Sequence, residues 1–147
     1  MTNQFLQLPA LRPPCKPDQE WTLTEDWYSP ELPGGIGVYI RSGFCTDGAS
    51  IPRAAWRIVG HPFQVPLLGP ALCHDAIYDA ELVANHHEAD WMFLEAMEMA
   101  GIGWCKRNTV WSAVRTCGGF LWDRHTPESV RAAREYVSLT KNGRIWR

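Results

Sequence analysis

Apolar and polar positions change rhythm twice along this chain of 147 residues. The first 20 residues carry Pro9, Pro13, Pro14 and Pro17, which deny both a helix and a central strand. They predict an extended arm that lies on the rest of the chain or reaches toward a neighbour. Period-two alternation follows in Trp21-Thr22-Leu23-Thr24 and again at Ile36, Val38 and Ile40, with Pro30, Pro33, Gly34 and Gly35 between. This predicts a small antiparallel hairpin with a longish loop. Phe44 to Pro52 reads as a loop, where Gly43 and Gly48 supply permissive backbone.

From Pro70 onward the rhythm is helical. Pro70 suits a first helical position, and Ala71 to Tyr78 continues without a breaker. Asn85 and Glu88 form a capping-box pattern for a second helix ending near Gly101, whose Asp90, Phe93, Met97 and Ala100 share one face. A third helix is predicted from Thr109 to Gly118 or Leu121. A fourth opens at Thr126-Pro127 and turns Val130, Ala133 and Val137 inward. The predicted fold is α+β but mainly helical: a small N-terminal β-hairpin, a pair of antiparallel helices and two further helices. Residues 1–20 form the arm and residues 21–147 a single globular domain.

Charge and composition narrow the function. The formal charge is −2, with 14 Lys plus Arg against 16 Asp plus Glu, which argues against an extended nucleic-acid surface. No apolar run approaches a membrane span, and Met1 to Leu6 has neither a basic nor an apolar leader region. A soluble protein, intracellular at synthesis, is expected. Cys15, Cys45, Cys73, Cys105 and Cys117 are scattered, which predicts free, mostly buried thiols. Eight Trp are many for so short a chain; most are expected in the core, and an excess also suits a lipid or protein interface.

Three segments place polar groups where packing favours apolar ones. In Cys45-Thr46-Asp47-Gly48-Ala49-Ser50-Ile51-Pro52-Arg53, Asp47-Gly48 builds a turn or offers a carboxylate and carbonyls to a hard cation. In His74-Asp75-Ala76-Ile77-Tyr78, His74 and Tyr78 share a helix face, and Asp75 lies about 100° round from His74. Asp90 faces inward on the next helix, where an ionised carboxylate needs a partner. If the two helices pair, Asp90 reaches His74 and Tyr78. It then either orients an imidazole that acts as a base, or only bonds Tyr78 and a loop amide.

These motifs, in this order, resemble an uncharacterised family found in tailed bacteriophages and prophages, over roughly Trp21 to Gly119. Their order is also similar to that of the phospholipase A2 fold, and to its small bacterial members in particular. That resemblance implies a phospholipase A2-like helix pair in which Asp47, Gly48 and Asp75 hold Ca²⁺. It implies His74 as general base, Asp90 as the carboxylate orienting it, and Tyr78 as a bonding partner of Asp90. The activity implied is Ca²⁺-dependent ester hydrolysis, with host membrane lipid as a substrate class, and Ser50 then has only a structural role.

The alternative is a virion, tail-assembly or host-interaction protein in which the same His–Asp network is structural. The proline arm, the Trp excess and the terminal Arg144 and Arg147 suit docking onto phage structural or host proteins. An HD-type metal phosphohydrolase needs further ligands, and His61, His86, His87 and Asp123 are poorly spaced for it. His86 and His87 fall on an exposed first helical turn, where His is unremarkable. Scattered cysteines and mainly oxygen donors disfavour zinc.

Overall fold

A computed structural model describes residues 4–14, 20–48 and 51–146; Cys15, Pro17, Ala49, Ser50 and Arg147 lie outside the described residues. Seven strands are described: β1 Leu11–Arg12, β2 Trp21–Leu23, β3 Trp27–Tyr28, β4 Ile36–Ile40, β5 Cys45–Thr46, β6 Val137–Lys141 and β7 Arg144–Ile145. Five helices accompany them: α1 Arg53–Val59, α2 Leu68–Asp79, α3 His86–Met99, α4 Trp104–Trp122 and α5 Pro127–Arg134.

The expectation of a mainly helical chain with one small hairpin is overturned. The strands form two antiparallel sheets, in the orders β1-β2-β5 and β3-β4-β6-β7, so the fold is a mixed α+β one. The two alternating segments do not pair with each other. Instead Trp21 and Thr22 sit opposite Thr46 and Cys45, while Val38 sits opposite Leu139. One neighbour of β4 is the local strand β3, but the other, β6, is about a hundred residues away in sequence, and a local turn reading reaches only local pairings. The same misreading carried the fourth helix through Val137: α5 stops at Arg134, and Val137, Ser138 and Leu139 alternate buried, half-buried and buried on β6.

The helix α2 is the centre of the molecule. Every residue from Gly69 to Tyr78 is buried, as in a helix covered on all sides, and it packs on α3, α5, β4 and β5. It begins at Leu68, so Pro70 is the third residue, still within the first turn where a missing N–H costs nothing. The start of α3 is capped by the Asn85 side chain, which accepts the Glu88 N–H at 3.1 Å. Glu88 in turn accepts from the Ala84 N–H rather than closing a reciprocal box with Asn85. Thr126 and Ser129 do form a reciprocal box around Pro127 at the start of α5.

The N-terminal segment is tied down where it is described. Phe5 is buried against the core, Gln4 N–H donates to the Met99 carbonyl, and the Trp27 indole donates to the Gln7 carbonyl at 2.8 Å. Four described cysteines are free thiols, but only Cys73 is buried; Cys45 and Cys105 are exposed. No helix among the described residues is long and apolar enough to cross a membrane.

Candidate His–Asp site

The six residues between α2 and α3 let the two helices pack side by side, and this brings His74 to Asp90. His74 Nε2 lies 3.0 Å from Asp90 Oδ1, with 1% and 0% of the two side chains exposed. The imidazole is packed between aromatic rings, 4.9 Å from the Tyr78 ring centre and 4.7 Å from that of Phe93. Its other nitrogen, Nδ1, is buried and has no hydrogen-bond partner among the described residues. With Asp90 at Nε2, the proton of a neutral imidazole belongs on Nε2, and the unpaired Nδ1 lone pair is that of a base.

The carboxylate of Asp90 is held on both sides. Its Oδ2 faces His86 Nδ1 at 3.4 Å, one helical turn back on α3. Burial alone would raise this carboxyl, but hydrogen bonds and charge from His74 and His86 outweigh it and keep Asp90 below the usual carboxylate value. Tyr78 is buried beside the pair, but its hydroxyl donates to the Gly118 carbonyl on α4 and not to Asp90, the partner that the phospholipase A2 resemblance implies; the Asp90 oxygens face His74 and His86 instead. Burial first, then the charges of Asp90 and Asp123, push the phenol upward, so it remains a donor.

The end of β5 reaches the same helix through Thr46. Its hydroxyl donates to Asp75 Oδ2 at 2.5 Å and accepts the Gly48 N–H at 3.1 Å. Gly48 has φ of 67°, and a Cβ there would come within 3.0 Å of Pro62, so this turn requires glycine. Asp47 is exposed beside it. Asp79, one turn after Asp75, is pushed up to about 8, first by desolvation and then by the charges of Asp75, Asp47 and Glu20. The Asp79 side chain nevertheless keeps 47% of its surface, so it is the upward direction that matters. Asp47, Asp75 and the Gly48 backbone offer the oxygen donors that a hard divalent cation takes, but among the described residues these carboxylates are not drawn together as a metal-holding group.

Sequence reasoning found His74, Asp75 and Asp90 because they interrupt apolar faces. It missed Thr46 as the link between loop and helix, Asp79 as a further member of the acidic group, and Gly118. The Gly118-Gly119 pair was available as a signal, since adjacent glycines inside a helix mark a close approach, but it reads equally as a helix end. In sequence His86 falls on an exposed first helical turn, yet its ring turns inward to Asp90.

A family model described as "Protein of unknown function (DUF1353)" matches residues 21–114. The chain belongs to this family. The match covers β2 through most of α4, and so contains the loop, the dyad and most of the helix that closes over it. A relative, "Uncharacterized protein y4jT" of Sinorhizobium fredii (strain NBRC 101917 / NGR234), is 32% identical over 92 residues. Those residues are 62% of this chain and 27% of the relative, so the chain spans about a quarter of that protein's length. No solved structure matches the chain.

Proposed function

We propose that the chain is an ester hydrolase whose general base is His74. The observation that carries this reading is the His74–Asp90 pair with Nδ1 left buried and unpartnered. An unsatisfied buried acceptor costs about 1–3 kcal/mol, a cost that a chemical role would explain. In the reaction, a water oxygen attacks the ester carbonyl carbon as its proton passes to His74 Nδ1. The resulting imidazolium keeps its Nε2 proton hydrogen-bonded to Asp90, which stabilises the charge and fixes the tautomer. The proton on Nδ1 then goes to the leaving alkoxide as the C–O bond breaks. Ca²⁺ at Asp47, Asp75 and Gly48 would contribute electrostatic stabilisation of the oxyanion. The substrate class that follows is a carboxylic ester, membrane phospholipid among them.

The closure of the site supports a second reading. His74, Asp75, Tyr78 and Asp90 are all buried, so hydrolysis requires the elements over His74 to part when substrate binds. If they do not part, the network is a device that fixes α2, α3 and α4. The chain is then an assembly or host-interaction protein, with exposed Trp91, Trp104 and Phe120 available to a partner.

One experiment separates the two. Wild type and His74→Gln are assayed on p-nitrophenyl esters and phospholipid vesicles, with Ca²⁺ or with EGTA. The hydrolase reading expects turnover in wild type with Ca²⁺ and a loss of about 10²–10⁴-fold in His74→Gln with its melt preserved. No turnover in wild type, or full turnover in the variant, overturns it.

A further inference from the structure

We propose that His86, His87 and Asp90 form a binding site for a first-row transition-metal ion of the zinc class. Among the described residues these three form a group in which one ligand atom from each lies within 4.8 Å of the others. Asp90 is shared with the His74 pair, but it would offer the ion its other oxygen, neither imidazole belongs to that pair, and the readout is metal occupancy, which does not depend on ester hydrolysis.

Spacing comes first. Two ligand atoms of a tetrahedral ion with bonds of about 2.0–2.1 Å lie ~3.3 Å apart. His86 Nδ1 and Asp90 Oδ2 are 3.4 Å apart, long for a hydrogen bond but right for two ligands of one ion. They are one turn apart on α3, the spacing by which a helix chelates through a single face. The His87 ring lies 3.9 Å from the His86 ring, centre to centre, and is exposed, which provides an entry path from solvent.

The surroundings then hold the ligands. Asp90 Oδ1 is fixed by His74 Nε2, so the carboxylate presents Oδ2 in one orientation, as outer hydrogen bonds do for metal carboxylates. Room beside the ligands is kept by two missing side chains. A Cβ on Gly118 would lie 3.4 Å from His86 Nδ1 and 3.5 Å from Asp90 Oδ2, and one on Gly119 would lie 3.4 Å from His86 Nε2.

Charge and donor type decide the ion. The N-terminus of α3 is positive and disfavours a cation, and Arg115 acts on His87 in the same sense. The ionised Asp90, with Glu88 in the first turn, offsets both. Two imidazoles with one carboxylate favour zinc-class ions over Ca²⁺ or Mg²⁺, which take oxygen sets. Scattered cysteines and mainly oxygen donors disfavour zinc at the level of sequence; the donors here are histidines that the fold turns toward an acid.

Calorimetric titration of the full chain with Zn²⁺, repeated with Ca²⁺ and with inorganic phosphate, tests the site, and Co²⁺ absorption reports ligand geometry. The expected result is one Zn²⁺ per chain with Kd on the order of 1 µM or tighter, a tetrahedral Co²⁺ spectrum, and weakening by at least ~10-fold in both His86→Ala and His87→Ala. Arg115→Ala is expected to tighten Zn²⁺ binding. His125→Ala is expected to leave it unchanged, because His125 faces a separate pair of acids, Asp79 and Glu81. Unaltered affinity in His87→Ala, loss in His125→Ala, Ca²⁺ bound as tightly as Zn²⁺, or phosphate bound in place of Zn²⁺ and lost with Arg115 would each overturn the proposal.

Discussion

A methyl group placed on Gly118 would lie 2.6 Å from the Tyr78 hydroxyl, which itself bonds the Gly118 carbonyl. The helix α4 therefore touches the floor of the site with its bare backbone, and Tyr78 is buried, so it has nowhere to retreat. Gly118→Ala is expected to cost about 1–3 kcal/mol through forced displacement, despite the better helix propensity of Ala. Urea unfolding of the two proteins measures it; equal or higher stability in the variant would show that α4 shifts freely. At this scale legibility followed contrast. His74, Asp75 and Asp90 stand out as polar residues in apolar stretches. Gly118 and Thr46 are ordinary in sequence, and their importance comes wholly from which atoms arrive opposite them.

Among the elements, α3 and α5 were readable because their first turns contain their own caps: Asn85 for one, and Thr126, Pro127 and Ser129 for the other. The strand β6 was not. Its Val137 and Leu139 are also spaced acceptably for the end of a helix, and only β4 across the sheet decides between the two. That pairing runs over five residue pairs, from Ile36 opposite Lys141 to Ile40 opposite Val137, and both strands bury apolar side chains in the core. Deleting residues from 136 to the end should expose Val38 and Ile40 and leave β4 without that neighbour. With total stabilities of about 5–15 kcal/mol for a domain, loss of the cooperative thermal transition is the expected outcome. Circular dichroism melting checks it, and a retained sharp transition would mean that the helices fold without this sheet.

The whole molecule carries an electrostatic strain where the loop after β5 meets α2. Asp79 faces Asp75, Asp47 and Glu20, with His125 Nε2 at 3.9 Å, and its carboxyl is pushed up to about 8. A carboxyl raised on folding binds its proton more tightly in the folded chain than in the unfolded one. The Asp79 contribution to stability is therefore fully present below the unfolded value near 3.8 and is lost as pH rises toward the raised folded value, the opposite sense to that of the depressed Asp90. Asp79→Asn should flatten this part of the profile and gain most above pH 8, seen as melting temperature against pH. An unchanged slope in the variant would assign the pH dependence to other groups. If a divalent cation occupies the neighbouring carboxylates, adding Ca²⁺ should raise the wild-type melt most at the alkaline end.

The residues by themselves determined the starts of α3 and α5, the apolar face of α3, and the meeting of His74 with Asp90; α1 was not foreseen, and α4 begins at Trp104 rather than Thr109. Periodicity, caps and a short connection are local properties, and two neighbouring helices joined by six residues leave few ways to pack. Tertiary structure alone decided the rest. It paired β4 with the far end of the chain, brought α4 glycines onto Tyr78 and His86, and enclosed the imidazole between Tyr78 and Phe93. The physical reason is range: hydrogen-bonded ladders and burial join positions by distance in space, and the composition of either position alone carries no mark of the other.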